Sequence, residues 1–209
     1  MFETQTLITY MAASVAIILA PGPAQALVLA RTISDGKKNG IMTALGLNVG
    51  TIFHAVAAAL GLSAVVATSA VAFGVIKYGG AAYLIYLGVK ALRIKEHRTH
   101  LTNTSIVRTR EAFAKAVLTG ILNPKVALFF LAFLPQFVDA HRGSVFFQFL
   151  ILGLILAAFD ALYESVLALL AGTVSDWVTG NSRFALWRQR VTGTVLIALG
   201  IRLALTERS

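Results

Sequence analysis

The sequence predicts an all-α membrane protein. Three observations carry that expectation: long runs without formal charge, a low charge content, and basic residues gathered between the runs. Of 209 residues, 57% are hydrophobic and 13% are charged, and the mean hydropathy is +0.79. A soluble domain is about half apolar and about a quarter charged. The apolar share alone does not separate the classes; the charge deficit and its distribution do.

From Thr4 to Ala30 no residue is formally charged, and from Asn39 to Ile76 only His54 can become so. A bilayer core about 30 Å thick takes about 20 helical residues to cross. The first run is therefore one crossing. The second is too long for one and must turn near Ser63–Ser69, where small and hydroxyl residues gather. Continuing along the chain gives six spans: Thr4–Ala30, Gly40–Ala64, Ala70–Leu92, Ala112–Phe137, Val145–Ala171 and Arg188–Leu205. The sizeable polar segment is 93–111, which holds Thr99, Thr102, Asn103, Thr104 and Ser105. It divides a single transmembrane domain over 1–209 into a first half, 1–92, and a second half, 112–209.

Composition also excludes classes. The net charge of +9 and pI near 10.3 would suit a nucleic-acid binder, but such proteins interleave basic and aromatic residues on one face. Here the basic residues fall between apolar runs, where topology explains them. There is no cysteine, hence no disulfide and no thiolate metal site. Met1-Phe2-Glu3 provides no basic n-region, so the first helix is expected to stay as an uncleaved anchor. No phosphate loop, nucleophile elbow or zincin motif is present, and no enzyme activity is expected.

The two halves echo each other. Pro21 interrupts the first span and Pro124 the fourth; Asp35-Gly36-Lys37-Lys38 follows the one much as Asp139-Ala140-His141-Arg142 follows the other. Three spans per half reverse direction between halves, which is how inverted-repeat transporters are built, with the site at paired broken helices. The expected architecture is therefore two inverted three-helix repeats with helices 1 and 4 broken.

Candidate site residues cluster at those breaks. In Ala20-Pro21-Gly22-Pro23 proline removes backbone donors and glycine loosens what remains. Freed carbonyls are tolerated in a bilayer only against protein or water. One such break reads equally as a simple kink; its repetition at Asn123-Pro124-Lys125 favours a binding site. Lys125, near the middle of span four, either snorkels to the surface, pairs with an acid, or faces a cavity where it binds a carboxylate. Asp160 and Glu164, four apart on one face of span five, are the candidate acids, for carrying a proton or holding an ammonium. Alternatively they form a structural ion pair with Lys125. Tyr163 lies within one turn of both. His54 shares a helical stripe with Gly46 and Gly50, whose small size lets a neighbouring helix approach. Hydrogen bonding across helices is its favoured role and proton relay the sharper one. A metal site of His54, Asp160 and Glu164 has no diagnostic spacing.

Asn123 to Val138 reads NPKVALFFLAFLPQFV, which closely resembles the NPKxxLFFxxFLPQF signature of the lysine exporter and homoserine/threonine exporter superfamily. Pro21–Pro23 is similar to that family's first-helix motif, and Tyr78–Gly88 and Thr192–Gly200 add further matches. The resemblance implies a proton-motive-force-dependent exporter of amino acids or close derivatives, homoserine- or threonine-like or otherwise small and neutral, in a bacterial inner membrane. It implies no cofactor. Expected partners are the amino acid, protons and the lipid bilayer, with no nucleic acid; a homodimer is compatible with this reading. The rivals are a proton-coupled metal-ion exporter and a membrane scaffold that transports nothing.

Orientation follows from the loops. Those after spans one, three and five hold twelve Lys and Arg, whereas the N-terminus, the other loops and the C-terminus hold three. The positive-inside rule then places segment 93–111 in the cytoplasm and both termini in the periplasm. A cysteine introduced at Thr102 should escape an impermeant thiol reagent in intact cells with a permeabilised outer membrane. Labelling there reverses the orientation.

Overall fold

A helix satisfies its backbone polar groups within one segment, which is what an apolar medium demands. All regular structure among the described residues is helical. The computed structural model describes the backbone of residues 2–20, 22–68, 70–93, 108–180 and 182–205. Pro21 and most of the polar segment, including Thr102, lie outside the described residues.

In chain order the helices are α1 (Thr4–Leu19), α2 (Pro23–Asp35), α3 (Lys37–Thr68), α4 (Ala70–Arg93), α5 (Thr109–Ile121) and α6 (Pro124–Leu128). A π-helical turn (Phe129–Phe133) and two 3-10 turns (Leu134–Phe137, Ala140–Arg142) follow, then α7 (Val145–Gly180) and α8 (Ser182–Leu205). The first expected span is two helices, α1 and α2, bent by 54°. The fifth runs on past Ala171 to Gly180, and the sixth starts at Ser182 rather than Arg188. Hydropathy marks where apolar residues stop, not where the helix does, and no proline interrupts either extension. Lys37–Leu62, Thr109–Phe137 and Val145–Ala171 are long and apolar enough to cross a membrane, and the bent α1–α2 pair is so when taken as one span, which gives three or four candidate crossings among the described residues. Both echoed acidic-basic segments fall at the turn leaving a broken helix. At the first, Gly36 holds φ at +86°, the left-handed region that favours glycine, and donates its N–H to the Thr32 carbonyl.

The distribution of side chains suits a lipid environment. Large apolar groups point outward, among them Leu122, Val71, Leu60 and Leu162, whereas Ser14, Gln25, Asn48, Asn123, Gln148 and Glu164 are buried. The main core gathers Tyr10, Ile17 and Ile18 of α1 with Phe129, Phe130, Phe133 and Phe137 after the second break.

Between helices in lipid no hydrophobic drive exists, so close backbone packing has to hold them together. Gly46 and Gly50 of α3 supply it against α5. A Cβ on Gly50 would collide with the Gly120 carbonyl carbon, and one on Gly46 would lie 2.6 Å from the Phe113 carbonyl oxygen. Gly153 of α7 meets Ala55 of α3 in the same way, and Gly88 of α4 meets Gly193 and Ile197 of α8. Gly61, by contrast, faces open space. Gly50→Ala should therefore force α3 and α5 apart and lose about 1–3 kcal/mol. Gly61→Ala should gain a few tenths to about 1 kcal/mol through a less flexible unfolded chain. Thermal unfolding in detergent reads both, and equal midpoints would contradict the packing.

Candidate functional site

The first break leaves identifiable carbonyls without partners. In a continuous helix the Ile17 carbonyl would accept from residue 21 and that of Leu19 from residue 23, but both are prolines and have no N–H. Ala20 still donates to Ala16, and there α1 ends. Lys125 meets the first of these and a further one: its Nζ donates to the Ile17 and Ala20 carbonyls, each at 3.0 Å. Gln25, one turn into α2, sends its side-chain amide back to the Ile18 carbonyl. Gly22, in an extended conformation ahead of α2, borders the ammonium; a Cβ on it would stand 3.6 Å from Lys125 Nζ, so a larger side chain would press on the amine.

The second break explains how Lys125 gets there. α5 ends at Ile121, and Asn123 caps the next half-helix by accepting the Lys125 N–H on its side-chain oxygen at 3.1 Å. Pro124 takes the first helical position, where its missing N–H costs nothing. Side chains on a helix lean towards its N-terminus, so Lys125, in the first turn of α6, is aimed back across the break. The Asn-Pro-Lys motif thus ends one half-helix, starts the next, and caps the broken end of a helix in the other half of the chain.

Beyond it the helix widens. Leu134 donates to the Phe129 carbonyl five residues back, and Pro135 then tightens the chain into a 3-10 turn. The consequence is a dense aromatic wall, with Phe133 5.1 Å from Phe129 and 5.0 Å from Phe137, ring centre to ring centre. Tyr10 of α1 joins it edge-on to Phe137, and its hydroxyl donates to the Leu152 carbonyl at 2.6 Å.

Asp160 and Glu164 lie within electrostatic reach of Lys125. No direct ion pair joins them to it among the described residues, and the Lys125 amine bonds instead to the α1 carbonyls. Glu164 is 1% exposed and its Oε2 has no hydrogen-bond partner, whereas Asp160 is half-buried. Tyr163, also half-buried, packs on the main core. His54 does not bond across helices through Nε2, which is buried and unpartnered; its ring stacks on Phe130 at 6.2 Å. It therefore belongs to the aromatic wall, and among the described residues His54, Asp160 and Glu164 do not gather into a metal-binding group. Sequence reasoning misses Gln25. The available signal is a lone polar residue four beyond Pro21 in an otherwise apolar stretch.

Charged and amide side chains gathered at two helix breaks, inside a bundle whose apolar residues face outward, define a membrane transporter rather than an enzyme. The model of the LysE type translocators matches residues 15–207, and the chain belongs to that family. It is 33% identical to an uncharacterized membrane protein of Bacillus subtilis, over 96% of this chain and 99% of that protein. It is 30% identical to a leucine efflux protein of Klebsiella pneumoniae, over 97% of this chain and 96% of the relative. A leucine efflux protein of Salmonella choleraesuis is 28% identical over 94% and 93%. No solved structure matches the chain.

The geometry sets two opposing effects on Lys125→Met. Removing a buried ammonium relieves about 2.5–3.5 kcal/mol. Orphaning two carbonyls and losing two charge-assisted bonds forfeits about 4–6 kcal/mol. A net loss of about 1–3 kcal/mol is expected, read as lower thermal stability in detergent. Lys125→Arg should keep most of it, and adding Asp160→Asn to Lys125→Met should recover little, because the missing interaction is a helix cap. Recovery by the double variant would restore the ion-pair explanation.

Proposed function

We propose that the protein exports a small neutral amino acid, leucine-like in the first instance, from the cytoplasm across a bacterial inner membrane in exchange for protons. The observation that carries this is the junction of the two broken helices at Lys125, with the Glu164 carboxylate, whose Oε2 is unpartnered, within electrostatic reach. The leucine efflux relatives supply the substrate class. In this reading the chain is one transmembrane domain of two inverted three-helix halves, α4 and α8 completing the six crossings.

An amino acid presents a carboxylate and an ammonium. An ammonium side chain has three N–H donors. Lys125 uses two on α1, and the third is left for the substrate carboxylate beside the open flank at Gly22 and Pro23. Asn123 and Pro124 hold that lysine in place, and Asp160 and Tyr163 complete the surroundings of the site. The substrate ammonium meets Glu164. A single buried carboxylate binds either an ammonium or a proton, so departure of one favours arrival of the other. Mutual exclusion at Glu164 is a sufficient basis for obligatory exchange. The break between α1 and α2 and the one between α5 and α6 then act as hinges for alternating access. His54 lies outside this exchange unless the aromatic wall opens. The metal-exporter reading is less well supported, since among the described residues His54 and the two acids do not gather into a metal-binding group.

Proteoliposomes preloaded with individual labelled amino acids, with a pH gradient imposed, test this directly. Leucine or a close neutral relative should leave faster when the outside is acidic. Glu164→Gln should retain slow exchange down a concentration gradient while losing the response to pH. A protein that moves no amino acid in this panel defeats the proposal, and a pH response that survives in Glu164→Gln removes Glu164 from the exchange.

A further inference from the structure

Asn48 lies outside the junction at Lys125, yet its side chain combines burial with an unmet acceptor. It is 5% exposed, its Nδ2 donates to the Ala44 carbonyl at 3.0 Å, and its Oδ1 has no partner. That one internal bond fixes the amide, so the oxygen rather than the nitrogen is the free end. Leaving a buried acceptor unmet is unfavourable unless something else occupies it.

The packing of α3 on α7 says what lies across from it. Close approaches at two points set the register: a Cβ on Gly40 would lie 3.2 Å from that of Ala168, and one on Gly153 would collide with that of Ala55. Residue numbers rise along α3 as they fall along α7, so the helices are antiparallel. Interpolating between the two points sets Asn48 level with Asp160 and one turn from Glu164. The faces agree as well as the levels. At about 100° per residue, Asn48 falls on the same side of α3 as Gly40 and Ala55. Asp160 and Glu164 fall on the same side of α7 as Gly153 and Ala168. Glu164 Oε2, 1% exposed, is also unpartnered. Two buried, unsatisfied oxygens thus lie on facing helices, one neutral and one acidic, and the acidic one is within electrostatic reach of Lys125, whose amine is bonded to α1.

We infer that Asn48 is a substrate-binding residue whose Oδ1, together with the Glu164 carboxylate, receives the α-ammonium of the exported amino acid. The two acceptors divide the work. A carboxylate accepts a proton as readily as an ammonium, but an amide oxygen does not titrate in the working range and accepts only from a donor brought to it. Asn48 therefore adds selectivity for the ammonium that Glu164 alone lacks. It also gives the site a direction: amine towards the α3–α7 seam, carboxylate towards Lys125 and the breaks.

This inference rests on the export reading, and the test separates the two. Full-length protein in proteoliposomes is assayed by counterflow of labelled leucine, with competition by leucinamide, which keeps the ammonium, and by 4-methylpentanoate, which keeps the carboxylate. Asn48→Leu, similar in size but without polar atoms, should weaken leucine and leucinamide about tenfold while leaving 4-methylpentanoate unchanged. Asn48→Asp keeps an acceptor at the same place and should hold leucinamide within about threefold of wild type. Should Asn48→Leu not accumulate, Asn48→Ala gives the same comparison. Unchanged leucine affinity in the apolar variant, or equal losses for both competitors, overturns the assignment while wild-type counterflow leaves the export reading standing. Absence of leucine counterflow by the wild type, with no other amino acid replacing it, removes the export reading and this assignment with it.

Discussion

A helix that stops inside a bilayer must hand its last carbonyls to something, and here the recipient is an amine from the other half of the chain. The two bonds from Lys125 to Ile17 and Ala20 allow α1 to end where it does. They also tie the first break to the second, because the lysine itself stands in the opening turn of α6. Much else depends on that tie. The bend between α1 and α2 is supported because side chains meet its Ile17, Ile18 and Ala20 carbonyls. The aromatic wall packs on α1 because α1 ends beside it, and the proposed site lies where two interrupted helices are held together.

The glycine contacts make the complementary part of the structure rigid. Gly50 and Gly120 bring α3 and α5 into backbone contact, and Gly153 lets the Ala55 side chain of α3 lie directly against α7. With no side chain between them, such helices have little room to slide or rotate independently. The breaks, where side chains take over some of the backbone hydrogen bonds, lack such contacts and are the proposed hinges. A transporter needs this division, since alternating access is largely the motion of one rigid group against another around a fixed site.

Much of this is legible in the sequence, for physical reasons that can be named. Uncharged runs mark the helices because a bilayer tolerates little else, and Pro21, Pro23 and Pro124 mark the breaks because proline has no N–H to give. The Asn123-Pro124-Lys125 signature carries the family resemblance without help from the fold. What Lys125 touches is not legible. Its side chain spans a gap between segments more than a hundred residues apart, and hydropathy treats its ammonium only as a cost. The π-helical turn is hidden because Phe129–Phe133 has ordinary helix composition, and the cause, Pro135, lies after it. The ends of α7 and α8 escape a hydropathy reading because polar residues without proline continue a helix beyond the membrane boundary. The stripe of His54 with Gly46 and Gly50 is visible in sequence, but the neighbour that decides its role is Phe130, from a distant segment.

The cap on α1 also bears on how the protein is made. Lys125 follows Ile17 by 108 residues and Ala20 by 105. At about 5–20 residues per second, the N-terminal half-helix waits roughly 5–20 s after its own synthesis for the amine that completes it. Throughout that interval its carbonyls need water or the insertion machinery as a substitute. The broken end of α1 is thus unfinished when it leaves the ribosome, and α6 acts as its assembly factor, supplied from the same message.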